Sequence, residues 1–148
     1  LVVKINRLAK CIDEKFASRC YDEVGLGIDF TARDLQREAI AKGLPWEMSK
    51  CFDHSAALSP EFVPLAELGA VDNLRFELKI NGEVRQAGVT AEMLFSVDEI
   101  ISHVSKYMTL KIGDLIYTGT PVGVGAVNRG DNIKARLDGR TLLDFDVR

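Results

Sequence analysis

The chain has 148 residues, 47% of them hydrophobic and 28% charged, with a net charge of 19 − 22 = −3 at pH 7. That length is about one domain, the hydrophobic share excludes a disordered chain, and the lack of a basic excess argues against nucleic acid as a partner. No apolar run approaches the roughly 18 residues that cross a bilayer, so no membrane partner is expected.

The chain opens on Leu1-Val2-Val3-Lys4-Ile5, short and β-branched, a strand already under way with no Met before it. The expectation is a single catalytic-type domain over 1–148, truncated on its N-terminal side. Residues 6–20 are polar and mixed and are assigned to no element. Val24 to Phe30 alternates apolar with small residues, predicting one strand with something packed closely on its glycine face. Thr31-x-x-Asp34 approximates a capping box and starts a helix that Gly43 and Pro45 stop. Residues 44–66 read as an ordered loop or short turns. Leu74 to Ile80 is apolar on even positions and charged on odd ones, a half-buried strand, and Asn81-Gly82 turns it into a partner over Glu83–Ala87. Ser96-Val97-Asp98-Glu99 is a full capping box for a helix ending near Tyr107. Leu115 to Thr118 is a buried strand running into the glycine-rich loop Gly119–Gly125. Ile133–Leu137 and Thr141–Val147 form a closing hairpin about Asp138-Gly139. The sum is strand-rich α+β with a rolled or barrel-like sheet.

The densest polar cluster runs from Asp29 to Gln36. Asp29 ends a strand beside a helix N-terminus, and Arg33 and Gln36 share one helix face. A carboxylate with an Arg and a Gln suits a hard metal plus an anionic substrate. The bland alternative is that Asp29 caps the helix and pairs with Arg33. Lys50 sits among Trp46, Met48, Cys51 and Phe52, where a desolvated ammonium stabilises an oxyanion or, read blandly, snorkels to water. Cys51-x-x-His54 lacks the further ligands that zinc needs. Three cysteines, Cys11, Cys20 and Cys51, form an odd, sparse set that suits a reducing compartment, cytoplasm or organelle matrix. The loop through Gly119 and Thr120 lacks the Lys-Ser/Thr of a phosphate loop. Its backbone N–H groups and the Thr120 hydroxyl suit a carboxylate instead, or the loop is a plain turn.

In order, these segments resemble the fumarylacetoacetate hydrolase family, and within it the acylpyruvase/oxaloacetate decarboxylase branch. The matching stretches are Gly27 to Gln36, Lys42 to Trp46 with Lys50, Asn81-Gly82-Glu83 with Arg85-Gln86, Met93 to Ser96, and Gly113 to Gly125. The resemblance implies a mixed β-sandwich roll of the family's C-terminal domain type, a divalent metal (magnesium or manganese) and a homodimer. It also implies that Asp29 is a metal ligand, that Arg33, Gln36 and Lys50 are active-site residues, and that Gly119 and Thr120 meet the carboxylate of a small 2-oxo acid substrate. The implied reaction is metal-assisted cleavage of a C–C bond next to a 2-oxo acid, as acylpyruvate hydrolysis or oxaloacetate decarboxylation. Isomerisation or hydration of a 2-hydroxy-dienoate is one alternative, and a non-catalytic dimeric β-domain is another. The family's remaining metal ligands, a Glu-x-Glu pair, and its His/Glu base pair are expected upstream of Leu1.

Overall fold

The β-branched opening forms the first strand, with Val2 and Val3 fully buried. In the computed structural model, which describes residues 1–148, the strands in chain order are β1 (Val2–Lys4), β2 (Glu23–Gly25), β3 (Gly27–Asp29), β4 (Ala56–Leu58) and β5 (Val63–Pro64). They continue with β6 (Arg75–Ile80), β7 (Glu83–Val89), β8 (Leu115–Tyr117), β9 (Asn132–Leu137) and β10 (Arg140–Asp146). The α-helices are α1 (Arg33–Ala41), α2 (Leu65–Leu68) and α3 (Val97–Tyr107). The class is α+β and strand-rich, as expected, and every strand pair is antiparallel.

The chain divides into two compact units, Gly27–Leu58 and the larger Leu1–Leu26 with Ser59–Arg148. The larger unit holds two four-stranded sheets, ordered β5-β2-β1-β8 and β10-β9-β6-β7. All the buried apolar side chains belong to it, among them Val2, Ile5, Val24, Leu74, Ile101, Ile133 and Leu137. Asn81-Gly82 and Asp138-Gly139 turn two hairpins with both residues at positive φ, the backbone whose twist matches paired strands. The capping box forms as read: Ser96 Oγ accepts from Glu99 N at 3.1 Å and Glu99 Oε2 from Ser96 N at 2.6 Å. The inner face of α3 carries Ser102 and Ser105, which bond the backbone at Ile12. Tyr21 donates to Asp98 at 2.8 Å.

Several expectations need correction. The strand predicted over Val24–Phe30 is broken at Leu26 because its halves take different partners. β2 pairs β1 and β5, whereas β3 pairs β4. Ser59 fixes the break, with Leu26 N donating to its Oγ at 3.2 Å and its own N donating to Leu26 O at 2.8 Å. The close packing on glycine is real at Gly25, where a Cβ would lie 2.6 Å from Ser59 Oγ and 3.2 Å from the Phe62 ring. The stretch 44–66 is also more regular than a loop, since it contains β4, β5 and the start of α2. On β6 only Ile80 of the even positions is buried; Phe76 lies half-exposed across Gly88 of the neighbouring strand.

The smaller unit has no buried apolar side chain, and its only buried residues are Ser49 and Ser55. Hydrogen bonds hold it in place of a core. α1 ends as its sequence predicts, with Gly43 at φ +62, Gly43 N donating to Ile40 O and Leu44 N to Ala39 O. Its start differs. Ala32 occupies the cap position and no side chain caps the helix, so Thr31 is not the N-cap.

Candidate active site

In the smaller unit the ribbon of β3 and β4 ends with Asp29 opposite Ala56. The chain then stays pinned, Phe30 N donating to Ser55 O at 2.8 Å and Ala32 N to Ser49 O at 3.0 Å. Ser49 closes a 3-10 turn over Glu47–Ser49, fully buried, with its hydroxyl on Trp46 O. This anchoring sets the backbone of the next residue, Lys50. Its Nζ donates to Asp29 Oδ2 at 2.5 Å and to Thr31 Oγ1 at 2.8 Å.

That contact gives the Thr31 hydroxyl a partner 19 residues away, and Thr31 does not cap α1. It also overturns the bland pairing of Asp29 with Arg33. Asp29 takes Lys50, and Arg33 Nη1 instead donates to Gln36 Oε1 at 2.9 Å across the first turn of α1. The Lys50 side chain is 25% exposed and that of Asp29 55%, so the pair is open to a ligand. An ammonium has three donors. Two are used here, which leaves one N–H to meet an incoming oxygen.

In the larger unit, Gly119 and Thr120 follow β8, with Gly119 at φ +105. Gln86 of β7 donates through Nε2 to Thr120 Oγ1 at 2.7 Å and to Pro121 O at 3.0 Å. Sequence reading placed neither Thr31 nor Gln86 in the site. The Arg85-Gln86 pair in the matched stretch was the available signal for Gln86, whereas Thr31 was read only as a helix cap.

The residues present do not by themselves fit a magnesium or manganese ion. Such an ion takes about six oxygen ligands, usually more than one of them from protein. No group of three or more His, Cys, Asp or Glu side chains is gathered to hold a metal. Asp29 can give one carboxylate, and Lys50 already holds one of its oxygens.

The whole chain, residues 1–148, matches the family described as Fumarylacetoacetate (FAA) hydrolase C-terminal. It belongs to the fumarylacetoacetate hydrolase family. A rat relative named oxaloacetate tautomerase FAHD1, mitochondrial, is 46% identical over 147 residues, covering 99% of this chain and 66% of that protein. The chain thus spans just under two thirds of the length of that relative. Among solved structures, the fumarylpyruvate hydrolase of Pseudomonas aeruginosa in complex with Mn2+ and pyruvate superposes with a TM-score of 0.89 at 36% identity, over 99% of this chain and 62% of that one. The 5-carboxymethyl-2-hydroxymuconate delta-isomerase of Mycobacterium smegmatis does so with a TM-score of 0.89 at 30% identity, over 99% and 55%. The fumarylacetoacetate hydrolase family therefore includes hydrolases, tautomerases and isomerases, and this chain carries its C-terminal domain.

Proposed function

We propose that this family member acts on small 2-oxo acids through an enolate, interconverting the keto and enol forms of an oxaloacetate-type diacid. The supporting observation is the Lys50 ammonium, held by Asp29 and Thr31 with one donor to spare. Removing the proton at C3 of a 2-oxo acid leaves negative charge on the oxygen at C2. A positioned donor aimed at that oxygen stabilises the anion, and reprotonation at oxygen gives the enol. In this reading Arg33 and Gln36 act on the substrate from the smaller unit; Gly119 and Thr120, in the larger unit, are proposed separately as contacts for the carboxylate of a 2-oxo acid. Asp29 is proposed as one ligand of a divalent ion, magnesium or manganese, whose other protein ligands lie outside this chain. The Mn2+ in the Pseudomonas relative's structure supports a divalent ion.

Breaking the C3–C4 bond also leaves an enolate with its charge on the oxygen at C2, that of pyruvate, so C–C cleavage is the second reading, favoured by the likeness to a fumarylpyruvate hydrolase. The proposal extends to a homodimer in the cytoplasm or the mitochondrial matrix. The rat relative is named mitochondrial, and no helix of this chain is long and apolar enough to cross a membrane.

The test gives the intact protein enol-oxaloacetate, acetylpyruvate and a hydroxymuconate in turn, with Mg2+ or Mn2+. Accelerated loss of enol absorbance without pyruvate is the expected result. Pyruvate release would replace it with the cleavage reading. Turnover of the hydroxymuconate alone, or of nothing, would overturn both.

A further inference from the structure

Gln86 holds the loop that follows β8 by two hydrogen bonds. Its amide donates to both Thr120 Oγ1 and Pro121 O. Gly123 lets loop and strand meet, and Gly88 of the strand adjoins Pro121 of the loop. At Gly123, φ +100, a Cβ would lie 2.0 Å from Arg85 O, and at Gly88 a Cβ would lie 3.5 Å from the Cβ of Pro121. The loop from Thr120 to Gly123 therefore lies directly on β7.

The chemistry of the partners then settles a proton. A backbone carbonyl only accepts, so the amide end facing Pro121 O is the NH2 group and not the carbonyl oxygen. The same NH2 group meets Thr120, so Thr120 Oγ1 accepts, and its own hydrogen must point to some other acceptor. We propose that Gln86 is a positioning residue which sets the direction of the Thr120 hydroxyl, turning it into a donor aimed at the carboxylate of a 2-oxo acid. This rests on the reading of Thr120 as a carboxylate contact. Without the amide the hydroxyl can turn its hydrogen inward and present a lone pair, which repels an anion.

Gln86→Glu tests the direction itself, because a carboxylate in that place accepts from Thr120 and reverses the chain of hydrogen bonds. Once protonated, the same side chain donates again. The probe is oxalate with Mn2+, titrated calorimetrically into the intact protein between pH 8 and pH 4.5, each variant expressed as a ratio to wild type at the same pH. Gln86→Glu should bind about tenfold more weakly than wild type at pH 8, as expected for loss of a hydrogen bond to a charged group. The ratio should close to within about threefold at pH 4.5. Gln86→Met, which cannot donate at any pH, should show a constant deficit. A merely structural role for Gln86 would give Gln86→Glu the same flat ratio. That flat ratio, with Thr120→Val still weakened, would overturn the role of Gln86 alone. Thr120→Val binding oxalate as tightly as wild type would overturn the carboxylate contact, and the role of Gln86 with it.

Discussion

Lys50 spends two of its three donors on Asp29 and Thr31, so its replacement separates chemistry from stability. Lys50→Met should lower kcat by about 10²–10³, the usual cost of removing one donor from a developing oxyanion. Its Tm should hardly move, because an ion pair as exposed as this one contributes less than about 1 kcal/mol. Unchanged kcat would remove Lys50 from the chemistry. Thr31→Val should leave Tm unchanged too, whereas loss of a true N-cap costs about 1 kcal/mol. A drop of that size in Thr31→Val would restore the capping role. Asp29, Arg33 and Lys50 were legible in the sequence as polar residues in an unusual setting, but their pairing was not. The spacing of Asp29 and Arg33 suggested a local ion pair, and a partner 21 residues away won instead.

At the level of elements, what was legible is what closes over a few residues. The capping box of α3 and the two hairpin turns need only their own sequence, and all three form. The strand from Val24 to Phe30 looked continuous because its break is written in Ser59, far along the chain. Gly25→Ala should cost about 1–3 kcal/mol, since its Cβ would overlap Ser59 Oγ and crowd Phe62. A neutral result in chemical denaturation would show that Ser59 can step aside. The Ser96 backbone N–H, then its hydroxyl, holds the Glu99 carboxyl below its ordinary value. With the folded value lowered, this stabilisation is complete above the unfolded pKa of about 4.3 and is lost as pH falls through the folded one. Glu99→Gln should therefore be less stable than wild type at pH 7, and the gap should shrink towards pH 3. Thermal melts across that range check the sign; a gap that widens in acid would refute it.

Over the whole molecule, apolar burial and the proposed site residues are unevenly shared. The buried apolar side chains lie in the larger unit, while Leu35, Ile40, Trp46 and Met48 of the smaller one are exposed, as are Leu94 and Val122 of the larger. Exposed apolar area on this scale favours association, in keeping with the proposed homodimer. Sedimentation of the intact protein should give twice the monomer mass at micromolar concentration, and a monomer would refute it. None of this was readable from periodicity alone, because α1 is amphipathic by pattern yet buries no residue within this chain.

The chain leaves the larger unit at Leu26 and returns at Ser59, two residues hydrogen-bonded to each other. Residues 27–58 are thus a closed excursion whose ends are already held together. The entropy of closing such a loop grows only slowly with its length, so changes of length inside it cost the frame little. Asp29, Arg33, Gln36 and Lys50 all lie in that excursion, and no buried apolar side chain does. Descent with modification can therefore rewrite most of the proposed site residues as a cassette while the scaffold keeps its stability. A lineage assembled this way changes its reaction without having to relearn its fold.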